Sequence, residues 1–161
     1  MYDVSTIFTL LDTHNIKYNL YKHKPLASAQ DMDHMPSMQG LVVKNLVLKN
    51  KQQDLYLYTL PLNERADLKV LAKALNSTRL SFGSLSDLAF LGIPQGMVSP
   101  LCLCNDLNIE FTYIQSKSLD AFNLLNCHPM SNTMSIDIKR SDLEALILKT
   151  GHNILKINAR E

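Results

Sequence analysis

The chain has 161 residues, of which 46% are hydrophobic and 19% charged, enough apolar material to bury a substantial core in a single domain covering 1–161. Lysine plus arginine number 16 against 15 acidic residues, so no strong overall field exists to hold a polyanion along its length, and any nucleic acid is held locally. No stretch approaches the roughly 18 consecutive apolar residues of a membrane span, "MYDVSTIF" lacks a leader's basic and apolar regions, and three cysteines in a chain this size suit a reducing compartment, so a cytoplasmic protein without membrane contact is expected.

Val4, Ile7, Phe8 and Leu11 fall at helical spacing and predict an opening helix ending near "HNIKY", followed by a strand around Tyr18 to Tyr21. "HKPLASAQDMDHMPSMQG" has no clean period and reads as loop, with a short helix near Ser28 to Met32. Strands at 42–49 and 54–60 flank the polar turn "NKQQ" and form a hairpin. Leu68, Leu71, Ala72 and Leu75 mark an amphipathic helix beginning near Asn63 or Glu64. Ser84 and Asp87 cap a short helix that Gly92 ends. Beyond "IPQGMVSP", strands are expected at about 99–104, 109–114 and 120–125, then at "TMSIDI". Ser141 and Glu144 form an S-x-x-E cap for a last helix stopped by Gly151, and "ILKI" closes the chain as a strand. Helices interspersed with runs of strands make the class α+β, with a largely antiparallel or mixed sheet that is curved and partly barrel-like.

"VVKNLVLKN" places polar residues inside a strand. Alternation sets Lys44 on one face with Leu46 and Leu48, and Asn45 on the other with Val43 and Val47. An ammonium among leucines is costly unless it reaches water at the strand end or faces a polar cavity. In "GIPQGMVSP", glycines allow close backbone approach, so Ser99 and free amides could hold an ester carbonyl or a phosphate; an ordinary connecting turn fits the same residues. His128 in "NCHPMSN" suits a base, a hydrogen-bond donor to substrate, or a capped loop histidine.

Cys102, Cys104, Cys127 and His128 raise the question of zinc. Cys-x-Cys in a strand puts two thiols on one face, whereas a structural zinc knuckle uses Cys-x2-Cys in a turn, and buried reduced cysteines are ordinary core residues. No metal and no cofactor are therefore expected. Gly-x-Ser-x-Gly, Walker, His-Glu-x-x-His and dinucleotide fingerprints are all absent from the sequence.

The ordered set K-N-L, R-L-S-F, G-x-V-S-P and H-P-x-x-N, followed by "GH", resembles the YbaK/prolyl-tRNA-synthetase-associated domain family of aminoacyl-tRNA editing deacylases, over about residues 5 to 157. The pattern is most similar to the freestanding prolyl-tRNA editing type, whose members remove alanine from mischarged proline tRNA. The resemblance implies that Lys44 faces the site receiving the tRNA 3′ end and is the residue most closely tied to activity. It implies that Asn45, Arg79, the loop of Gly96, Met97, Val98, Ser99 and Pro100, and His128 surround the substrate, together with Tyr18. Ala29 and Gln30 stand where many relatives carry threonine or glutamate-like residues, and "SPLCLCND" has cysteines where a Phe-Gly or Phe-Ala pair is common.

On that resemblance the expected substrate is an alanyl ester of proline tRNA, with a prolyl-tRNA synthetase as a further partner and no DNA. A synthetase pocket built for proline excludes the smaller alanine poorly, since a missing methylene is worth only about 1–3 kcal/mol, so a second site is needed. Cysteinyl- or seryl/threonyl-tRNA deacylation, a non-catalytic tRNA- or synthetase-binding module, and a hydrolase of small free esters remain open alternatives.

Overall fold

The computed structural model describes residues 1–25, 35–93 and 96–160. Helix α1 (Val4–Thr13) starts where the Asp3 carboxylate accepts the Ser5 and Thr6 N–H groups and the Thr6 hydroxyl accepts the Asp3 N–H, a reciprocal cap. Ile7 and Leu11, one turn apart, are fully buried. Strand β1 (Tyr18–Lys22) follows, and the helix expected near Ser28 to Met32 lies outside the described residues, as do Ala29 and Gln30. Strands β2 (Leu41–Lys49) and β3 (Leu55–Pro61) make the expected antiparallel hairpin, with the Asn50 side-chain oxygen accepting the Gln52 and Asp54 N–H groups in the turn.

Helix α2 (Leu68–Ala74) begins later than the sequence suggested. Asp67 supplies its cap, whereas Glu64 closes a turn on the Pro61 carbonyl. Ser81–Phe82 form an unforeseen two-residue strand β4 against β2. Helix α3 (Leu85–Leu88) carries the expected Ser84–Asp87 box and runs into a 3-10 turn, Ala89–Leu91, ended by Gly92 at φ +67°.

The strand expected at 99–104 is instead a 3-10 helix, Pro100–Asn105. Ser99 caps it by accepting the Leu101 N–H, and Pro100 supplies the fixed φ of a first helical residue. A second correction falls at 120–125, where a 3-10 helix, Lys117–Ala121, precedes strand β6 (Leu124–Cys127). Strands β5 (Phe111–Ser116) and β7 (Met134–Lys139) match expectation. Helix α4 (Arg140–Lys149) grows directly from β7 with no side-chain cap, so Ser141 does not start it. Glu144 bonds Arg140 (2.8 Å) and Gln115 (2.9 Å) instead. Gly151, at φ +95°, ends the helix before β8 (Ile154–Ile157).

The eight-stranded mixed sheet runs β1-β7-β6-β2-β3-β5-β8, with β4 appended to β2, and it is an open path flanked by helices. Strands β6/β2, β3/β5 and β5/β8 pair in parallel, the others antiparallel. A larger core holds Val43, Leu57, Tyr113, Ile136 and Ile138 with α1 and α4. A smaller one holds Leu48, Tyr56, Tyr58 and Leu60 under α2. Strand β2 thus lies between two apolar clusters, and its central residues divide between them by alternation. No helix among the described residues is long and apolar enough to cross a membrane.

Candidate active site

One edge of β2 is bonded to β3 along nearly its whole length. The other edge pairs with β6 only at Leu41 and Val42, and with β4 only at Leu48 and Lys49. Between those contacts, 43–47 have no strand partner on that side, and a cleft of about 430 Å³ opens there. Val42 to Val47 form one wall, Phe82 and Gly83 one end, and Asn126, Cys127, His128 and Ser135 the other, with Gly96 and Val98 also lining it.

Lys44 lies directly across from Leu60 and shares its face with Leu46 and Leu48, and it lines the cleft half-buried. Among the described residues its ammonium has no hydrogen-bond or ion-pair partner. Lys49, at the far end of the same strand, reaches Asp87 at 3.2 Å. A half-buried cation that is not paired among the described residues is available to a negatively polarised ligand.

Asn45 points to the opposite face. Its Oδ1 accepts the Thr59 hydroxyl at 2.6 Å, and its Nδ2 donates to the Val98 carbonyl at 3.3 Å, which ties the 96–100 loop to the strand. Gly96 adopts φ +92°, a conformation that favours glycine. The Ser99 hydroxyl is used by its cap, and the Ser99 N–H donates to Cys102 Sγ at 3.3 Å, so neither faces a ligand. Among the described residues the N–H groups of Gly96, Met97 and Val98 have no partner, so the loop's usable donors lie before Ser99. Pro100 is buried at the start of the 3-10 helix.

His128 Nδ1 donates to the Met134 carbonyl at 2.9 Å, which leaves Nε2 of the neutral ring as an acceptor. Burial holds its pKa below the ordinary histidine value, with the nearby His23 acting in the same direction and the Met134 bond opposing. Beside it, the Asp137 carboxylate accepts from Tyr21 (2.6 Å), Asn126 (2.9 Å) and the Gly40 N–H (3.1 Å), which fixes the cleft floor.

Of the sequence-level candidates, Met97, Ser99 and Pro100 do not line this cleft, and Tyr18 and Arg79 stand apart from it. Tyr18 packs on Phe8 and the larger core, on the face of β1 that meets Ile138, and Arg79 is exposed before β4; neither lines the cavity. Sequence reasoning passed over Phe82, 64% exposed at the cleft lip, and the polar floor of Asn126 and Ser135. The available signal was "TMSIDI", where Ser135 and Asp137 alternate with apolar residues yet both are buried.

Cys102, Cys104 and Cys127 are buried and reduced, and burial raises their pKa values to about 12, about 11 and about 12. These thiols are poorly suited to act as thiolate ligands or nucleophiles. Among the described residues no group of three or more His, Cys, Asp and Glu side chains could hold a metal ion.

A family model described as an aminoacyl-tRNA editing domain matches residues 23–146. The chain is 29% identical over 154 residues to the prolyl-tRNA editing protein ProX of Acetoanaerobium sticklandii, covering 94% of each protein. It is 30% identical over 132 residues to prolyl-tRNA synthetase associated domain-containing protein 1 of Xenopus laevis, covering 79% of each. A crystal structure provisionally assigned as a trans-editing enzyme for prolyl tRNA synthetase superposes with a TM-score of 0.68 at 15% identity, over 100% of this chain and 99% of that one, a likeness of fold.

Proposed function

Because this chain belongs to the aminoacyl-tRNA editing domain family, we propose that it is an aminoacyl-tRNA deacylase acting on mischarged proline tRNA, with the alanyl ester as its substrate. The observation that carries the reading is Lys44, a half-buried ammonium without a partner among the described residues, in a cleft also lined by Gly96 and Val98, whose backbone N–H groups have no partner among the described residues. The cleft volume of about 430 Å³ falls within the usual range of small-ligand sites, about 300–1,000 Å³. That is room for an aminoacylated ribose rather than a folded duplex, which fits a nearly neutral protein gripping a single-stranded end.

In this reading, Lys44 attracts the terminal phosphate or the ester oxygen. The amides of Gly96 to Val98 stabilise the oxyanion that develops as the ester carbonyl is attacked. His128 Nε2, an acceptor, orients the aminoacyl group through its ammonium, and Phe82 gives a terminal base an aromatic face. Asn45 holds the donor loop rather than touching substrate. The name of the Acetoanaerobium relative supports proline tRNA, and the names of the vertebrate relatives support a prolyl-tRNA synthetase as a partner.

The test is a deacylation assay on proline, cysteine, serine and alanine tRNAs carrying cognate and non-cognate amino acids. Release of alanine from proline tRNA supports the reading. Tight tRNA binding without turnover replaces it with a binding module, and hydrolysis confined to free esters replaces it with a small-molecule hydrolase.

A further inference from the structure

The floor of the cleft holds a hydroxyl, bonded to an imidazole behind it, and the reading above gives neither a task. Ser135 is 2% exposed and lines the cavity from β7. Its Oγ lies 2.8 Å from His23 Nε2, and His23 Nδ1 lies 2.8 Å from the Lys24 carbonyl oxygen. A carbonyl only accepts, so in the neutral ring the proton sits on Nδ1, and Nε2 is the acceptor to which Ser135 donates. His128 cannot compete for that proton. Its Nδ1, 3.5 Å from Ser135 Oγ, already carries the hydrogen given to Met134. Among the described residues the Ser135 proton therefore has a single receiver. His23 is half-buried where Ser135 is closed, so the chain of bonds leads from the cleft floor toward solvent.

A hydroxyl on a substrate cavity, a histidine bonded to it and a third group fixing the histidine tautomer is the arrangement that activates oxygen nucleophiles. Here the third group is a backbone carbonyl. We propose that Ser135 and His23 are a proton relay for ester hydrolysis in the cleft, an inference that rests on the deacylase reading. The attacking water oxygen forms a bond to the ester carbonyl carbon and gives its proton to Ser135 Oγ. Ser135 passes its own proton to His23 Nε2. As the tetrahedral intermediate collapses, the ester C–O bond breaks, and the leaving ribose oxygen takes the proton back along the same path. Ser135 is the catalytic residue and His23 acts through it. This supplies the base that Lys44, a cation, cannot be.

General base catalysis contributes about 10²–10⁴-fold. Ser135→Ala should lower kcat about 100-fold with KM within about threefold of wild type, whereas Ser135→Thr, which keeps the hydroxyl, should recover to within about tenfold of wild type. His23→Gln keeps an acceptor but no base, so it should lower kcat as far as Ser135→Ala does. The double variant should fall no further, as expected of groups acting in one unit. If Ser135→Ala proves poorly folded by circular dichroism, His23→Gln at its half-exposed site decides the matter. Wild-type kcat in His23→Gln, or losses that multiply in the double variant, overturn the relay while leaving the deacylase reading intact. An acyl-serine trapped at Ser135 by acid quench and mass spectrometry overturns it in favour of a covalent nucleophile. A wild-type protein inactive on every charged tRNA removes both the reading and the relay.

Discussion

Asn45 accepts the Thr59 hydroxyl at 2.6 Å and donates to the Val98 carbonyl at 3.3 Å, so one side chain joins β3, β2 and the loop of candidate oxyanion donors. Two substitutions separate these bonds. Asn45→Ala leaves the fully buried Thr59 hydroxyl without an acceptor and should cost about 1–3 kcal/mol in urea denaturation. Asn45→Asp keeps that acceptor but sets a carboxylate against the Val98 carbonyl, so it should lose deacylation rate by more than its stability loss explains. An alanine variant as stable as wild type would refute the tether.

Lys44→Ala should leave the melting temperature nearly unchanged, because it removes an ammonium from a leucine-bearing face and breaks no ion pair among the described residues. Deacylation should fall by about tenfold or more, the scale of losing one electrostatic contact to the reacting ester. Wild-type rates in this variant would return Lys44 to the role of a strand-end lysine with its head in water.

Gly40 sits against the cleft floor. A Cβ built there would lie 2.6 Å from an Asp137 carboxylate oxygen and 2.8 Å from the Leu125 carbonyl carbon, and the second of these is backbone that cannot swing aside. Gly40→Ala should therefore destabilise the protein by about 1–3 kcal/mol and displace the polar floor, with activity falling as well. Unchanged thermal unfolding would show that the β6–β7 edge yields more readily than its packing implies.

The face of β2 that carries Lys44 was legible because a strand has a strict period of two, and Leu46 and Leu48 fixed the phase. Asp87 was legible for a similarly local reason, since a cap is built within one turn. The helix at Pro100–Asn105 was misread because Leu101 and Leu103 alternate with cysteines as a strand would, while all of them are buried in a 3-10 turn. Ser99-Pro100, a cap followed by a first-turn proline, was the better signal. The cleft was not legible at all. It exists because β2 pairs with β6 at one end and β4 at the other, and neither partner is near β2 in sequence. Phe82 and Ser135 gain their meaning only from that gap, and Arg79 and Tyr18 lie outside its lining.

His128 gives stability a pH dependence whose sign follows from its surroundings. Burial first, then the neighbouring His23, holds its folded-state pKa below the ordinary value, against the Met134 bond. An unfolded chain takes up that proton near pH 6.5, but the folded protein takes it up only at lower pH. Between those two values the unfolded state binds more protons. The contribution is therefore fully present above about pH 6.5 and is lost as the pH falls toward the folded value. Urea midpoints measured from about pH 7.5 down to 5 should decline more steeply for wild type than for His128→Gln, which cannot titrate. Parallel curves would mean that the histidine is solvated in the folded protein.

Specificity is the sharpest test of the proposed substrate. The proposed alanyl substrate rests on the expectation drawn from the R-L-S-F and G-x-V-S-P segments, and the loop of Gly96 to Val98 borders the same cleft as Lys44. A site sized for alanine should reject proline because the extra ring carbons overpack it, at about 1–3 kcal/mol, which suppresses cognate hydrolysis roughly 5- to 150-fold. Serine is the competitor to watch, since an apolar pocket discriminates weakly against an added hydroxyl. One proline tRNA charged in parallel with alanine, serine, cysteine and proline should lose alanine fastest and keep proline. Faster clearance of cysteine moves the assignment to the cysteine-clearing branch. Equal clearance of proline ends the editing role, because an enzyme that hydrolyses the cognate ester as fast as the mistake cannot correct anything.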